Sequence, residues 1–123
     1  IEYWLGRLYH SAGMIQEAET HIRIACALNP HNDSYKINLA RFLIEEDIDQ
    51  DEGMEIARKM LEVNPNSGDI RSIIAMGYYK DGLYEEAYQL VKEAKEITPW
   101  YNNDFEQQLK EIEEALARQK GER

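Results

Sequence analysis

The chain has 123 residues, 43% of them hydrophobic and 31% charged, with 24 acidic against 14 basic side chains and a formal charge of -10. That balance is too apolar for a disordered chain, and its acidity, with no basic cluster to reverse it locally, argues against nucleic acid as a ligand. A single cysteine, Cys26, rules out an internal disulfide, and no apolar run approaches the roughly 18 residues that span a bilayer.

With three prolines and seven glycines among abundant Ala, Leu, Ile, Glu and Lys, the composition favours helix throughout. Apolar spacing predicts seven helices, near residues 1–12, 15–28, 33–46, 51–63, 68–80, 84–97 and 102–119. Helical phase is under way at Ile1-Glu2-Tyr3-Trp4 with no initiator methionine, so the chain reads as a fragment of a longer one. A cytoplasmic location is the default expectation, with any targeting or membrane segment lying upstream. The turns inside helix pairs fall at Ser11-Ala12-Gly13, at Asp47 to Asp51 and at Lys80-Asp81-Gly82-Leu83. Asn32 or Asp33 caps the third helix, Asn66 or Ser67 the fifth, and Asn102 or Asn103 the seventh.

These elements repeat. Pro30, Pro65 and Pro99 stand 35 and 34 residues apart, each behind a helix it cannot continue. Gly6, Ala40 and Ala75 keep spacings of 34 and 35, whereas Ala18, Gly53 and Ala87 keep 35 and 34. Together the two series place a one-residue insertion between Ala40 and Gly53. Small residues at fixed places mark where two helix backbones approach closely. The reading is one all-α domain of three antiparallel helix pairs, at 1–32, 33–67 and 68–101, with a capping helix at 102–119.

The first unit carries Leu5-Gly6-x2-Tyr9, Gly13, Ala18-x3-Ile22, Ala25 and Pro30. The third carries Ile74-Ala75-x2-Tyr78, Gly82, Ala87-x3-Val91, Ala94 and Pro99. The second is degenerate: Leu39-Ala40-x2-Leu43, Gly53-x3-Ala57, Met60 and Pro65. This pattern resembles the tetratricopeptide repeat, with Glu2, Lys36 and Arg71 where that repeat prefers tryptophan. The resemblance implies a right-handed α-solenoid of antiparallel helix pairs whose concave groove is lined by the first helix of each pair. It also implies a protein–protein interaction or scaffolding module, with no enzymatic activity and no cofactor, that binds a peptide segment or partner protein. The alternative is a structural role, as an oligomerisation or assembly module within a larger enzyme or membrane-associated protein.

Phe105, Leu109, Ile112 and Leu116, with Ala115 beside them, form one apolar side of the seventh helix. Such a stripe suits a cap over the end of a helical stack, or a homo-oligomer seam. His10, His21 and His31 form no i, i+4 pair with one another, as a zinc site built on one helix would, so neither catalysis nor a metal site is expected of them. The run from Glu45 to Gly53 alternates Asp47, Asp49 and Asp51 as a calcium loop does. It has Glu52 where that loop needs glycine and Arg58 where it needs a bidentate glutamate, so it reads as an enlarged solvated turn. Cys26 reads as a small packed thiol.

With Leu5, Tyr9, Leu39, Leu43, Ile74 and Tyr78 in the core, the groove-facing phase falls on other residues of the first, third and fifth helices. The expected peptide-binding groove comprises Tyr3, Trp4, Arg7, His10, Ile37, Asn38, Arg41, Ser72, Ile73, Met76 and Tyr79, with Ser34, Glu45, Asp69 and Lys80 in the same phase. Arg7 and Arg41 share a repeat position and form a cationic rail suited to a carboxylate. The aromatic and aliphatic members are of the types that anchor interfaces. Repeats that clamp chaperone tails use lysines, asparagines and an arginine at five groove places. Here Asn38 matches one, while Tyr3, Arg7, Asp69 and Ile73 hold the others, which argues against that ligand.

Overall fold

The computed structural model describes residues 2–98 and 103–121. They form seven helices: α1 (Glu2–Ser11), α2 (Ile15–Leu28), α3 (Asp33–Glu45), α4 (Gln50–Val63), α5 (Gly68–Lys80), α6 (Tyr84–Ile97) and α7 (Asn103–Gly121). The seven helices expected from the sequence are all present, and no strand occurs among the described residues. The Oδ1 of Asn32 accepts the Tyr35 N–H at 3.1 Å and the Oγ of Ser67 accepts the Ile70 N–H at 3.2 Å, which decides two of the caps. Pro99 and the candidate cap Asn102 lie outside the described residues. Contacts gather into two compact units, Ile1–Ile56 and Ala57–Arg123, with the boundary inside α4.

The turn within each helix pair is closed by one device. The N–H groups of Met14, Ile48 and Leu83 reach back five residues to the carbonyls of Tyr9, Leu43 and Tyr78, at 2.8, 3.0 and 2.9 Å. This bond requires a left-handed residue just before the donor. Gly13 and Gly82 supply it at φ 78°, and Asp47 supplies it at φ 55°. The insertion inferred from spacing follows Asp47. Met14 and Leu83 lead straight into α2 and α6 and cap them without a side-chain bond, whereas Ile48 and then Asp49 intervene before α4. The added length is put to use: the Oδ1 of Asp49 accepts the Glu52 N–H at 3.0 Å as an N-cap, and Ile48 packs onto the core of the first unit.

A second device recurs at the residue before each repeat proline, a place barred from continuing the helix. Asn29, Asn64 and Thr98 each aim both the backbone N–H and a side-chain donor at the carbonyl four residues back, on Ala25, Met60 and Ala94. Two donors thus satisfy one orphan carbonyl at the end of α2, α4 and α6.

The small residues of the repeat lie where helices touch. In the first unit, a Cβ on Gly6 would stand 2.7 Å from Cγ1 of Ile22 and 3.2 Å from its backbone nitrogen. A Cβ on Gly53 would stand 2.7 Å from Cγ1 of Ile44 and 2.9 Å from the carbonyl oxygen of Ala40. Around these approaches Ala18, Ile22, Leu39, Phe42 and Leu43 form the core, with Tyr9, Ile15, Cys26 and Ile56 against it. In the second unit Ala75, Ala87, Val91 and Ala94 of α5 and α6 share a core with Phe105 and Ile112 of α7. Leu109 and Leu116 pack on the same cluster, so the apolar stripe of α7 is turned onto its own unit as a cap.

Two substitutions test this packing. Gly53→Ala adds about 1 kcal/mol of helix propensity, but the new methyl must push back a main-chain carbonyl, at about 1–3 kcal/mol. The expected result is a net loss on the order of 1 kcal/mol, seen as a lower urea midpoint at unchanged slope. Phe105→Ala empties a side chain that is 1% exposed and is expected to cost about 3–5 kcal/mol, with early loss of α7 amide protection in hydrogen exchange.

Candidate functional site

In the first unit, α1 and α3 lie side by side and their facing residues line a cavity of about 370 Å³. Its walls are Tyr3, Arg7 and His10 from α1, Asn38, Arg41, Phe42 and Glu45 from α3, and Ile22 from α2. The close approach at Gly6 seats α1 against α2, which leaves Ile22 exposed to the cavity floor only at its edge, at 4% overall.

A chain of donors fixes the polar lining. An N–H of Arg41 donates to Oδ1 of Asn38 at 3.1 Å, and Nδ2 of Asn38 donates to the Tyr3 hydroxyl at 2.5 Å. That pairing orients the Asn38 amide and leaves the phenol proton to donate elsewhere. Tyr3 is itself held by stacking on Tyr35, with centroids 4.5 Å apart and planes at 22°. Across the cavity, Nε2 of His10 is 2.7 Å from a Glu46 carboxylate oxygen, and the imidazole meets the Phe42 ring edge-on at 4.9 Å. The Arg7 guanidinium lies 5.7 Å over the Trp4 ring. Arg7, Arg41, Tyr3 and Asn38 therefore line one opening, with Glu45 as the acidic member of the wall.

Of the eleven expected groove residues, Tyr3, Arg7, His10, Asn38 and Arg41 come together here. Trp4 is 63% exposed on the flank of α1, outside the lining. Ile37 is half-buried on α3. Ser72, Ile73, Met76 and Tyr79 belong to α5 in the other unit. There Ser72 exchanges two hydrogen bonds with Gln108 of α7, at 2.6 and 2.9 Å, and Tyr79 packs on Tyr84. Ile73 is 3% exposed, so the expectation that it offers an apolar anchor in an open groove is corrected: its side chain is core. Ile22 and Phe42 were missed as lining. Phe42 stands one helical turn beyond Asn38, a spacing that marks it as a neighbour on the same stripe.

The acidic stretch resolves into structural roles. All three nitrogen sites of the Arg23 guanidinium are engaged: Nε with Glu19 at 2.9 Å, and the two terminal nitrogens with both carboxylate oxygens of Glu52 at 2.9 and 2.8 Å. The bidentate fork ties α2 to the start of α4 and holds the Glu52 carboxyl below its ordinary value of 4.5. Burial pushes the Cys26 thiol up, against a weaker opposing pull from Arg23 and Lys36, the reverse of what an activated thiol needs. His21 pairs through Nδ1 with a Glu2 carboxylate and stacks on Tyr9. Among the described residues, no group of three or more His, Cys, Asp or Glu is placed to hold a metal ion, and no helix is long and apolar enough to cross a membrane.

No protein-family model and no curated protein matches the sequence. Solved structures do match the fold. The first tetratricopeptide-repeat domain of human RPAP3, determined by NMR, aligns with 98% of this chain and 93% of its own at a TM-score of 0.79 and 18% identity. The fold is that of a tetratricopeptide-repeat domain. The first such domain of Spaghetti (RPAP3), bound to the HSP90 peptide SRMEEVD, aligns with 94% of this chain and 90% of its own, at a TM-score of 0.76 and 19% identity. The thermophilic tetratricopeptide protein TTC0263 of Thermus thermophilus reaches 0.81 at 17% identity, over 94% of this chain and 64% of its own.

The Arg23–Glu52 fork sets a pH dependence on this tetratricopeptide fold. Because the folded carboxyl is held low, its contribution is complete above the unfolded value near 4.5 and fades as pH falls through the folded value. Both partners are more than a third exposed at the side chain, so solvent reduces the effect to about 0.5–1 kcal/mol. Glu52→Gln is expected to lower stability by that amount at pH 7, with the gap to the unaltered chain closing progressively below pH 4.5, as followed by urea denaturation at several pH values.

Proposed function

We propose that this chain is a non-enzymatic protein-interaction module that holds a segment of a partner polypeptide against the α1–α3 face of its first unit. The observation that carries this reading is the pair Arg7 and Arg41 at one cavity, on a chain whose formal charge is -10. On such a surface two arginines against the one carboxylate of Glu45 give this lining a formal excess of positive charge, where the molecule as a whole is acidic. Their planar forks match a carboxylate, and Phe42 and Tyr3 beside them offer the ring surfaces that anchor interfaces. The preferred ligand is an acidic side chain next to an aromatic or aliphatic one. A fold of the same kind holds a peptide in the Spaghetti complex. In this chain Asn38 is bonded between Tyr3 and Arg41, and Asp69 and Ile73 occupy clamp places, which favours an internal acidic segment over a chaperone tail.

A random-peptide display selection against the folded chain tests the reading. The selected peptides are expected to be rich in Asp and Glu, and Arg7→Glu with Arg41→Glu is expected to weaken their binding by more than about tenfold while the helical circular dichroism stays unchanged. Peptides without acidic residues, or capture indifferent to the double substitution, would count against it.

A further inference from the structure

The lining of the α1–α3 cavity contains one donor whose direction is settled by chemistry. Arg41 can only donate, so the atom of Asn38 that meets it at 3.1 Å is Oδ1. The amide nitrogen therefore faces Tyr3, and its N–H donates to the phenol oxygen at 2.5 Å. An oxygen that accepts this N–H does not return its own proton to it, and that proton has no acceptor among the described residues. The ring is held on two sides. It stacks on Tyr35 and meets Trp4 edge-on, the latter with centroids 5.9 Å apart and planes at 66°. Tyr3 thus stands in the cavity wall as a fixed O–H donor.

The repeat itself does not require these groups. One repeat later, in the register set by Gly6, Ala40 and Ala75, the places of Tyr3, Asn38 and Arg41 hold Ile37, Ile73 and Met76. Helices of this fold form with apolar side chains at all three places, so the donor chain of the first unit is an addition to the scaffold. We infer that the Tyr3 hydroxyl donates directly to the carboxylate of a bound acidic segment, alongside Arg7 and Arg41, and sets the preference of the cavity for that group. A carboxylate suits this place because it only accepts, at about four lone-pair sites, and so takes a phenol proton and a guanidinium together. A hydroxyl or amide group arriving as a donor meets a phenol oxygen already engaged by Asn38. This role rests on the acidic-segment reading of the cavity, in which Tyr3 supplies only a ring surface, and gives its hydroxyl a separate task.

The test measures binding of one acidic peptide from the display selection and of its copy with leucine at the acidic position that matters most to affinity. Tyr3→Phe keeps the ring on Tyr35 and removes only the hydroxyl. It is expected to weaken the acidic peptide about tenfold or more and the leucine copy less than about twofold. An acidic peptide released by Arg7→Glu with Arg41→Glu but held unchanged by Tyr3→Phe overturns the hydroxyl's role alone. So does an equal loss for both peptides, because the substitution would then act through the shape of the wall. A selection that yields no acidic peptide sensitive to the arginine pair overturns this role together with the proposed function.

Discussion

The rest of the structure depends on how near two helix backbones can come. At Gly6 and Gly53 the space for even a methyl group is already taken by the neighbouring helix, and in one case by its main-chain carbonyl. Contact at that distance fixes the phase of each helix about its axis, since rotation of a few tens of degrees would bring a larger side chain into the gap. Once the phase is fixed, the outward residues follow. Tyr3, Arg7 and His10 share one face of α1, beside the strip on which Gly6 meets Ile22. The cavity is thus a by-product of the packing rather than a separate construction.

That dependence explains which parts were legible from residue order. Helix number, turn positions and the one-residue insertion rest on periodic features: small residues, prolines and left-handed turn residues recur at spacings that chance would not maintain. Six of the seven cavity residues from α1 and α3, all but Phe42, were legible for the same reason, being offset from a core phase that the small residues define. Ile73 was not. By phase it is the counterpart of half-buried Asn38, and its burial follows from the environment of α5 rather than from helical angle. Phe42 and Ile22 escaped notice because a core side chain can also show an edge to a cavity. The Arg23 fork to Glu52 was equally invisible, since it joins residues 29 apart whose meeting requires α2 and α4 to be placed first.

Arginine serves two different ends here. Arg23 is held on all sides by carboxylates, and Arg71 reaches the carbonyls of Pro65 and Ser67 and the Glu93 carboxylate, with 16% of its side chain exposed. Both act as ties between elements. Arg7 lies on a tryptophan face and Arg41 on an asparagine amide, and both line the cavity together with Glu45. An acidic protein thus uses one set of guanidinium groups to tie elements together and places another beside a cavity.

The left-handed Asp47 and the residue added behind it bear on how such a chain changes length across generations. An extra residue inside α3 or α4 would turn everything beyond it by about 100°, carrying Gly53 away from Ala40 and placing a bulky neighbour in a gap with no room for a methyl. Placed after the turn-closing bond of Ile48, the same residue leaves both helices in phase and arrives with an N-cap and an extra apolar contact. The turn is the joint at which this repeat can lengthen without any helix losing its footing, and descent would concentrate its insertions there.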